Sequence, residues 1–338
     1  MKRKYMIRSF FIAAIIFVAS SFYYLPYYVS KPGMAKELEP IINVENGYDE
    51  KGSFMLTTVR MGRANIYSYA LAKFSEYQEI YPIEAIRANN ETDEEYNVRQ
   101  LHLMDSSKFY AIETAYKAAG IPVSYEYSGV FVLNVRPNTP ADGKLKPGDR
   151  IFKVDEYEFE SSAQFIEYVS KKSAGDEVKL SIERDKKVSE ITVTLEVLSE
   201  TGKVGVGIGL VDDKEIVVDP TVTIESSDIG GPSAGLMFSL EIYNQLIEED
   251  LTKGYKIAGT GTIDSDGMVG EIGGIDQKIV AADKAGAEIF FAPFKEGEAD
   301  SNYEVAVETA QDIKTKMKIV PVSTFTDAID YLVSLEEK

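Results

Sequence analysis

The sequence predicts an α/β domain, joined to a smaller, mostly β domain and preceded by an apolar N-terminal helix. Three observations carry that prediction. From Gly202 onward short β-branched runs alternate with helical patterns. Between residues 126 and 200, stretches with a two-residue period are separated by turn clusters. Ser9 to Ser30 contains no charged side chain, a run of about 22 residues where a membrane-spanning helix needs ~20.

The composition bounds the function. A chain of 338 residues with 44% hydrophobic residues can bury two or three cores. A net charge of −19 argues against a nucleic-acid partner, because phosphate contacts need a basic surface. The absence of cysteine removes disulfides, thiolate metal sites and thiol nucleophiles, and the single histidine, His102, has no serine motif beside it. No metal or cofactor is expected.

Taken in order, residues 1–8 form a basic segment, with Lys2, Arg3, Lys4 and Arg8 holding the N-terminus on the cytoplasmic side. Residues 9–30 are expected to be a membrane anchor, with Tyr23, Tyr24, Tyr27 and Tyr28 at the outer interface and everything after Lys31 outside the cell. A cleaved signal peptide is the alternative, with Val18-Ala19-Ser20 as its cleavage site, but the apolar run continues past it. Residues 31–125 are expected to pack on the domain that follows 201. In this stretch Phe54 to Val59 reads as a strand, Ala64 to Glu76 contains a helix, and a helix from Asp105 ends at Gly120. The acidic run from Asn89 reads as a solvated loop. In residues 126–200, Ser128 to Val135 alternates as a strand, Pro137 to Gly143 is a turn cluster, and Ser161 with Gln164 forms a capping box. In residues 201–338, Val204 to Leu210 and Glu215 to Pro220 read as strands leading to a glycine-rich turn.

That turn carries the chemistry. In Gly230-Gly-Pro-Ser-Ala-Gly235, Ser233 opens an apolar helix, so its hydroxyl lies where free backbone N–H groups and the helix dipole suit an oxyanion. Gly231 allows close approach of substrate backbone, and N–H groups around Gly231 to Ala234 are the expected oxyanion donors. A serine needs a base. Lys278 in Gly273-Gly-Ile-Asp-Gln-Lys278 lies beside the inward stripe of Ile275, Ile279 and Ala282, and burial disfavours its charged form. A phosphate-cradling loop, as in some small-molecule kinases, is the rival reading. The targeting signal argues against it, and no Gly-x-x-x-x-Gly-Lys-Ser/Thr occurs, so no ATP is expected.

Gly231-Pro-Ser-Ala-Gly235, Thr260-Gly-Thr-Ile263 and Gly273-Gly-Ile-Asp-Gln-Lys278 resemble, in order, the motifs of the proteolytic domain of the Lon family of serine peptidases. The resemblance implies a Ser233–Lys278 dyad with Thr260 supporting the lysine. Gly230 departs from the family pattern, no acid is adjacent to Gly231, and Asp228 is not taken as its substitute. Residues 126–200 resemble a PDZ domain, most clearly in Leu145-Lys-Pro-Gly-Asp-Arg-Ile151. That resemblance implies a peptide added as an extra strand, with the Tyr127, Ser128, Gly129 and Val130 loop taking its carboxylate. A purely structural module is the alternative. Together these segments resemble the membrane-anchored PDZ and Lon-domain peptidases of Gram-positive bacteria, a group associated with processing peptide pheromones. The expected activity is therefore ATP-independent cleavage of extracytoplasmic peptides or proteins, and the non-enzymatic alternative is a peptide-binding scaffold. Homo-oligomerisation is left open.

Overall fold

A computed structural model describes the chain except residues 1, 89–90, 200, 227–228 and 298–300. Asp228, Asn89 and Asn90 therefore lie outside the described residues. The first third runs α1 (Lys2–Ser21), β1 (Tyr24–Glu37), β2 (Ile42–Val44), β3 (Ser53–Asn65), α2 (Ile66–Ala72), β4 (Glu79–Pro82), α3 (Ile83–Ile86) and α4 (Asp93–Ala118). It is followed by β5 (Ser124–Val135), β6 (Arg150–Val154), β7 (Tyr157–Glu158), α5 (Ser162–Ser170), β8 (Glu177–Arg184), β9 (Lys187–Thr194), β10 (Glu196–Val197), β11 (Val204–Gly205) and β12 (Ile208–Val217). The last part comprises β13 (Val222–Ile224), α6 (Gly235–Leu246), β14 (Lys256–Gly259), β15 (Thr262–Ile263), β16 (Val269–Gly270), α7 (Ile275–Ala285), β17 (Ile289–Pro293), α8 (Asn302–Asp312), β18 (Lys318–Val322) and α9 (Phe325–Val333).

One six-stranded sheet has the order β18-β17-β14-β3-β1-β4. Alternation of side chains splits each strand between two cores. Phe54, Leu56, Ile257 and Phe291 face one core with residues of α4, α6 and α9. Met55, Ala258, Phe290 and Ala292 face the other with residues of α7 and α8. Strands buried on both faces read as continuous apolar runs, which is what Ile289–Pro293 shows. Residues 31–125 are integral to this sheet, since β3 pairs with β14 and β1 pairs with β3.

Three expectations are corrected here. The run over 9–30 is not one span: α1 ends at Ser21, and Tyr24 begins a strand whose Tyr28 pairs with Arg63 of β3 and Tyr81 of β4. Pro26 cannot continue a helix, and the aromatic and β-branched run around it suits a pleated surface. Among the described residues no helix is long and apolar enough to cross a membrane. The acidic run, expected to be a loop, instead opens α4 from Asp93, where Thr92 and Glu95 close a capping box and three carboxylates meet the positive end of the helix.

The third correction concerns the small domain, whose sheet runs β12-β5-β6-β8-β9 over a separate core. Its sheet continues past residue 200, because Ile208–Val217 is a single strand pairing with β5 along its length. Glu215 to Val217 therefore belong to this sheet and not to a separate strand. Tyr127, Ser128, Gly129 and Val130 form no loop, since they lie within β5 with Tyr127 opposite Lys214 and Gly129 opposite Asp213. Gly129 is required by packing: at φ +122 a Cβ there would stand 2.3 Å from the Ile151 carbonyl oxygen. Ser161 caps α5 by accepting from the Gln164 N–H, while Gln164 reaches the Glu160 N–H, one residue earlier than a capping box requires.

Candidate active site

Ser233 sits on a turn held from three sides. Gly231 adopts φ +89, a conformation that favours glycine, and its N–H donates to the Gln100 carbonyl of α4 at 3.1 Å. Ser107, two turns further along α4, donates to the Pro232 carbonyl at 3.2 Å. The Ser233 carbonyl accepts from the Gly261 N–H at 3.0 Å and from the Thr260 hydroxyl at 2.9 Å. Thr260 and Gly261 follow the end of β14, so a sheet strand fixes the far side of the turn. Gly235 lies so near Ile263 that a Cβ would come within 2.8 Å of its side chain.

Lys278 approaches from α7. Gly274 at φ +66 starts that helix, and the Lys278 N–H donates to its carbonyl at 3.1 Å. The Lys278 Nζ lies 2.8 Å from Ser233 Oγ and 2.8 Å from Thr260 Oγ1. Lys278 is 2% exposed and Thr260 is fully buried. No carboxylate pairs with this amine among the described residues, and burial pushes its pKa down from 10.5 to about 7. Thr260 gives its hydroxyl hydrogen to the Ser233 carbonyl, so its lone pair is left to accept from Lys278. That arrangement fixes the amine beside the serine oxygen.

The expected oxyanion donors are narrowed by this geometry. The Gly231 N–H is already committed to Gln100 and is removed from the set. The backbone N–H groups of Ser233 and Ala234 have no hydrogen-bond acceptor among the described residues. Both flank a cleft of about 840 Å3 that also holds Lys278 and Gly230 to Pro232. β14 pairs with β3 only as far as Leu56, and Thr57 to Met61 of β3 line the cleft beyond it.

Gln100 and Ser107 were not found from the sequence, because they precede Ser233 by more than a hundred residues. The only available signal was the helical spacing of Gln100, Met104, Ser107 and Ala111, which puts them on one face of α4. His102 is elsewhere: it stacks on Phe131 of β5 with ring centroids 5.4 Å apart, and burial lowers its pKa. Among the described residues no group of three or more His, Cys, Asp or Glu is arranged to hold a metal ion.

Comparison with known proteins agrees with this architecture. A profile of the PDZ domain matches residues 118–195, and a profile of the Lon protease (S16) C-terminal proteolytic domain matches residues 189–334. The chain is similar to the Lon protease of Campylobacter jejuni, 27% identical over 206 residues that make up 54% of this chain and 25% of that protein. It is also similar to the Lon protease of Campylobacter concisus, 34% identical over 99 residues, 29% of this chain and 11% of that protein. A PDZ domain of an SdrC-like protein from Listeria monocytogenes is 35% identical and covers 25% of this chain and 90% of that one, with a TM-score of 0.24. The matches span a quarter or less of these Lon proteases. The chain thus carries one segment similar to PDZ domains and one similar to the Lon protease (S16) C-terminal proteolytic domain, each less than half of its length.

Proposed function

We propose that this chain is an ATP-independent serine endopeptidase, with Ser233 as nucleophile and Lys278 as general base, acting on peptides or accessible protein segments outside the cell. The observation that carries this reading is a buried, uncompensated lysine amine 2.8 Å from a serine hydroxyl at the wall of an open cleft. With Lys278 neutral, the Ser233 hydroxyl donates to the Nζ lone pair, and Oγ attacks the scissile carbonyl as the proton moves to Nζ. The N–H groups of Ser233 and Ala234 stabilise the oxyanion. Protonated Lys278 then gives its proton to the leaving amine, leaving an ester on Ser233. Water, deprotonated by the same amine, hydrolyses that ester.

Attachment to a membrane is part of this proposal. α1 exposes apolar side chains along its length, including Phe10 at 70% and Phe11 at 60%, a pattern that water does not favour and lipid does. Its basic start is the pattern that holds an N-terminus on the cytoplasmic side, and the extracytoplasmic body of this proposal rests on that pattern alone, since among the described residues no helix is long and apolar enough to cross. Secreted peptide pheromones are the substrate class suggested by the sequence resemblance, and the PDZ domain is proposed to bind peptide. Because β12 occupies the Tyr127–Val130 side of β5, that binding has to use another surface of the domain. The test is mass spectrometry of extracellular peptides from cells carrying Ser233 or Ser233→Ala. Loss of specific cleavage products in the variant is expected. An unchanged peptide pattern with retained biological function would favour the scaffold reading instead.

A further inference from the structure

All of α4 before its last residue, Ala118, lies outside both matched profiles, which begin at residue 118 and residue 189. It nevertheless forms one wall of the nucleophile cleft. The Gln100 main chain is committed to the loop through its carbonyl, but its side-chain carboxamide makes no hydrogen bond among the described residues. That carboxamide is half-buried and lines the cleft with Ser233 and Lys278. Its Oε1 lies 3.3 Å from where a Cβ on Gly231 would be, and its Cβ lies 3.3 Å from the corresponding point on Gly230. Two consecutive glycines thus leave bare backbone beneath an amide that has no protein hydrogen-bond partner among the described residues.

We propose that Gln100 is a substrate-contacting residue of this site, its carboxamide pairing with one peptide group of the chain that crosses Gly230 and Gly231. A carboxamide carries a carbonyl acceptor and an N–H donor side by side, the complement of a peptide unit in an extended chain. A substrate backbone offers both the donor and the acceptor that this carboxamide lacks within the protein. Side chains at Gly230 or Gly231 would fill the space through which that backbone must pass. The contact is to main chain, so it selects for extended polypeptide and not for a particular residue.

This inference rests on the peptidase reading, and the experiment separates the two. The full-length chain and its Gln100→Ala and Gln100→Met variants are compared in two assays: kcat/KM on an internally quenched peptide, and the rate of Ser233 sulfonylation by a small sulfonyl fluoride. The sulfonyl fluoride uses the serine and lysine but has no flanking peptide groups. Loss of two hydrogen bonds should lower peptide kcat/KM by about 10- to 100-fold, with the sulfonylation rate unchanged. Gln100→Met keeps the helix and most of the side-chain volume, so it reads out the amide even if Gln100→Ala folds poorly. Equal losses in both assays would mean that Gln100 only holds the loop, and unchanged peptide cleavage would mean that it touches no substrate. Either result overturns the assignment. A wild-type chain that is sulfonylated yet cleaves no peptide would remove the peptidase reading, and the Gln100 contact with it.

Discussion

Replacing Lys278 by methionine should stabilise the protein at neutral pH, by an amount that shrinks as the pH rises. Methionine keeps the length and apolar stem while removing the buried amine. Burial brings the lysine pKa to about 7 from 10.5, so an amine that must be kept or made neutral in the fold costs up to about 4–5 kcal/mol at pH 7. The bonds to Ser233 and Thr260 offset this by about 1 kcal/mol each, which leaves a net gain for Lys278→Met of about 2–3 kcal/mol. The sign with pH follows from proton counting. Between pH 7 and 10.5 the unfolded chain still holds the proton that the folded chain has shed, so wild-type stability rises across that window. The variant lacks this rise, and its advantage should fall by about 2 kcal/mol from pH 7 to pH 9. Urea unfolding of both proteins at pH 7, 8 and 9 measures it. A variant less stable than wild type at every pH, or a gap that does not change with pH, would refute the reasoning.

Three further outcomes are expected. Thr260→Val removes both the donor to the Ser233 carbonyl and the acceptor for Lys278, so peptide kcat should fall by roughly 10- to 100-fold with little change in KM; a change confined to KM would contradict it. Gly231→Ala forces an alanine to φ +89 and should cost about 1–2 kcal/mol of stability as well as activity, read by thermal unfolding and peptide hydrolysis. Glu50 is pushed up to about 9 by burial first and then by Glu241, Asp250 and Glu39. The folded chain therefore keeps a proton that the unfolded chain releases above pH 4.5, and stability falls as the pH rises from there towards 9. Glu50→Gln should raise the melting temperature at pH 8 and lose most of that advantage by pH 5, and a pH-independent difference would contradict the assignment.

Legibility from sequence followed locality. The nucleophile turn, the Gly274 start of α7 and the Thr260-Gly261 strand end are each written within a few residues, because positive φ and helix starts demand particular residue types. The distance between Ser233 and Lys278 depends on β14 and α7 converging, and the ordered motifs carried that information only through resemblance. What was misread depended on distant partners. Tyr24 to Ser30 continues the uncharged run that begins at Ser9, and only pairing with β3 and β4 makes it a strand. Tyr127 to Val130 looks like an exposed loop until Lys214 and Asp213 of β12 are placed opposite it. The Thr92–Glu95 capping box was present in the sequence, but the surrounding carboxylates outweighed it in a charge-based reading. Gln100 had no local mark at all.

The central claim, that a neutral buried lysine activates Ser233, is tested most directly by the pH dependence of Ser233 sulfonylation. The full-length protein is reacted with a sulfonyl fluoride from pH 5 to pH 10, and the modified residue is identified by mass spectrometry of its peptides. The account predicts a single site of modification, Ser233, with a rate that rises through an inflection near pH 7 as Lys278 loses its proton, and almost no reaction in Lys278→Arg, whose guanidinium stays charged. Sulfonylation of Ser233 at the same rate in Lys278→Arg, or an inflection near the ordinary lysine value of 10.5, would contradict it.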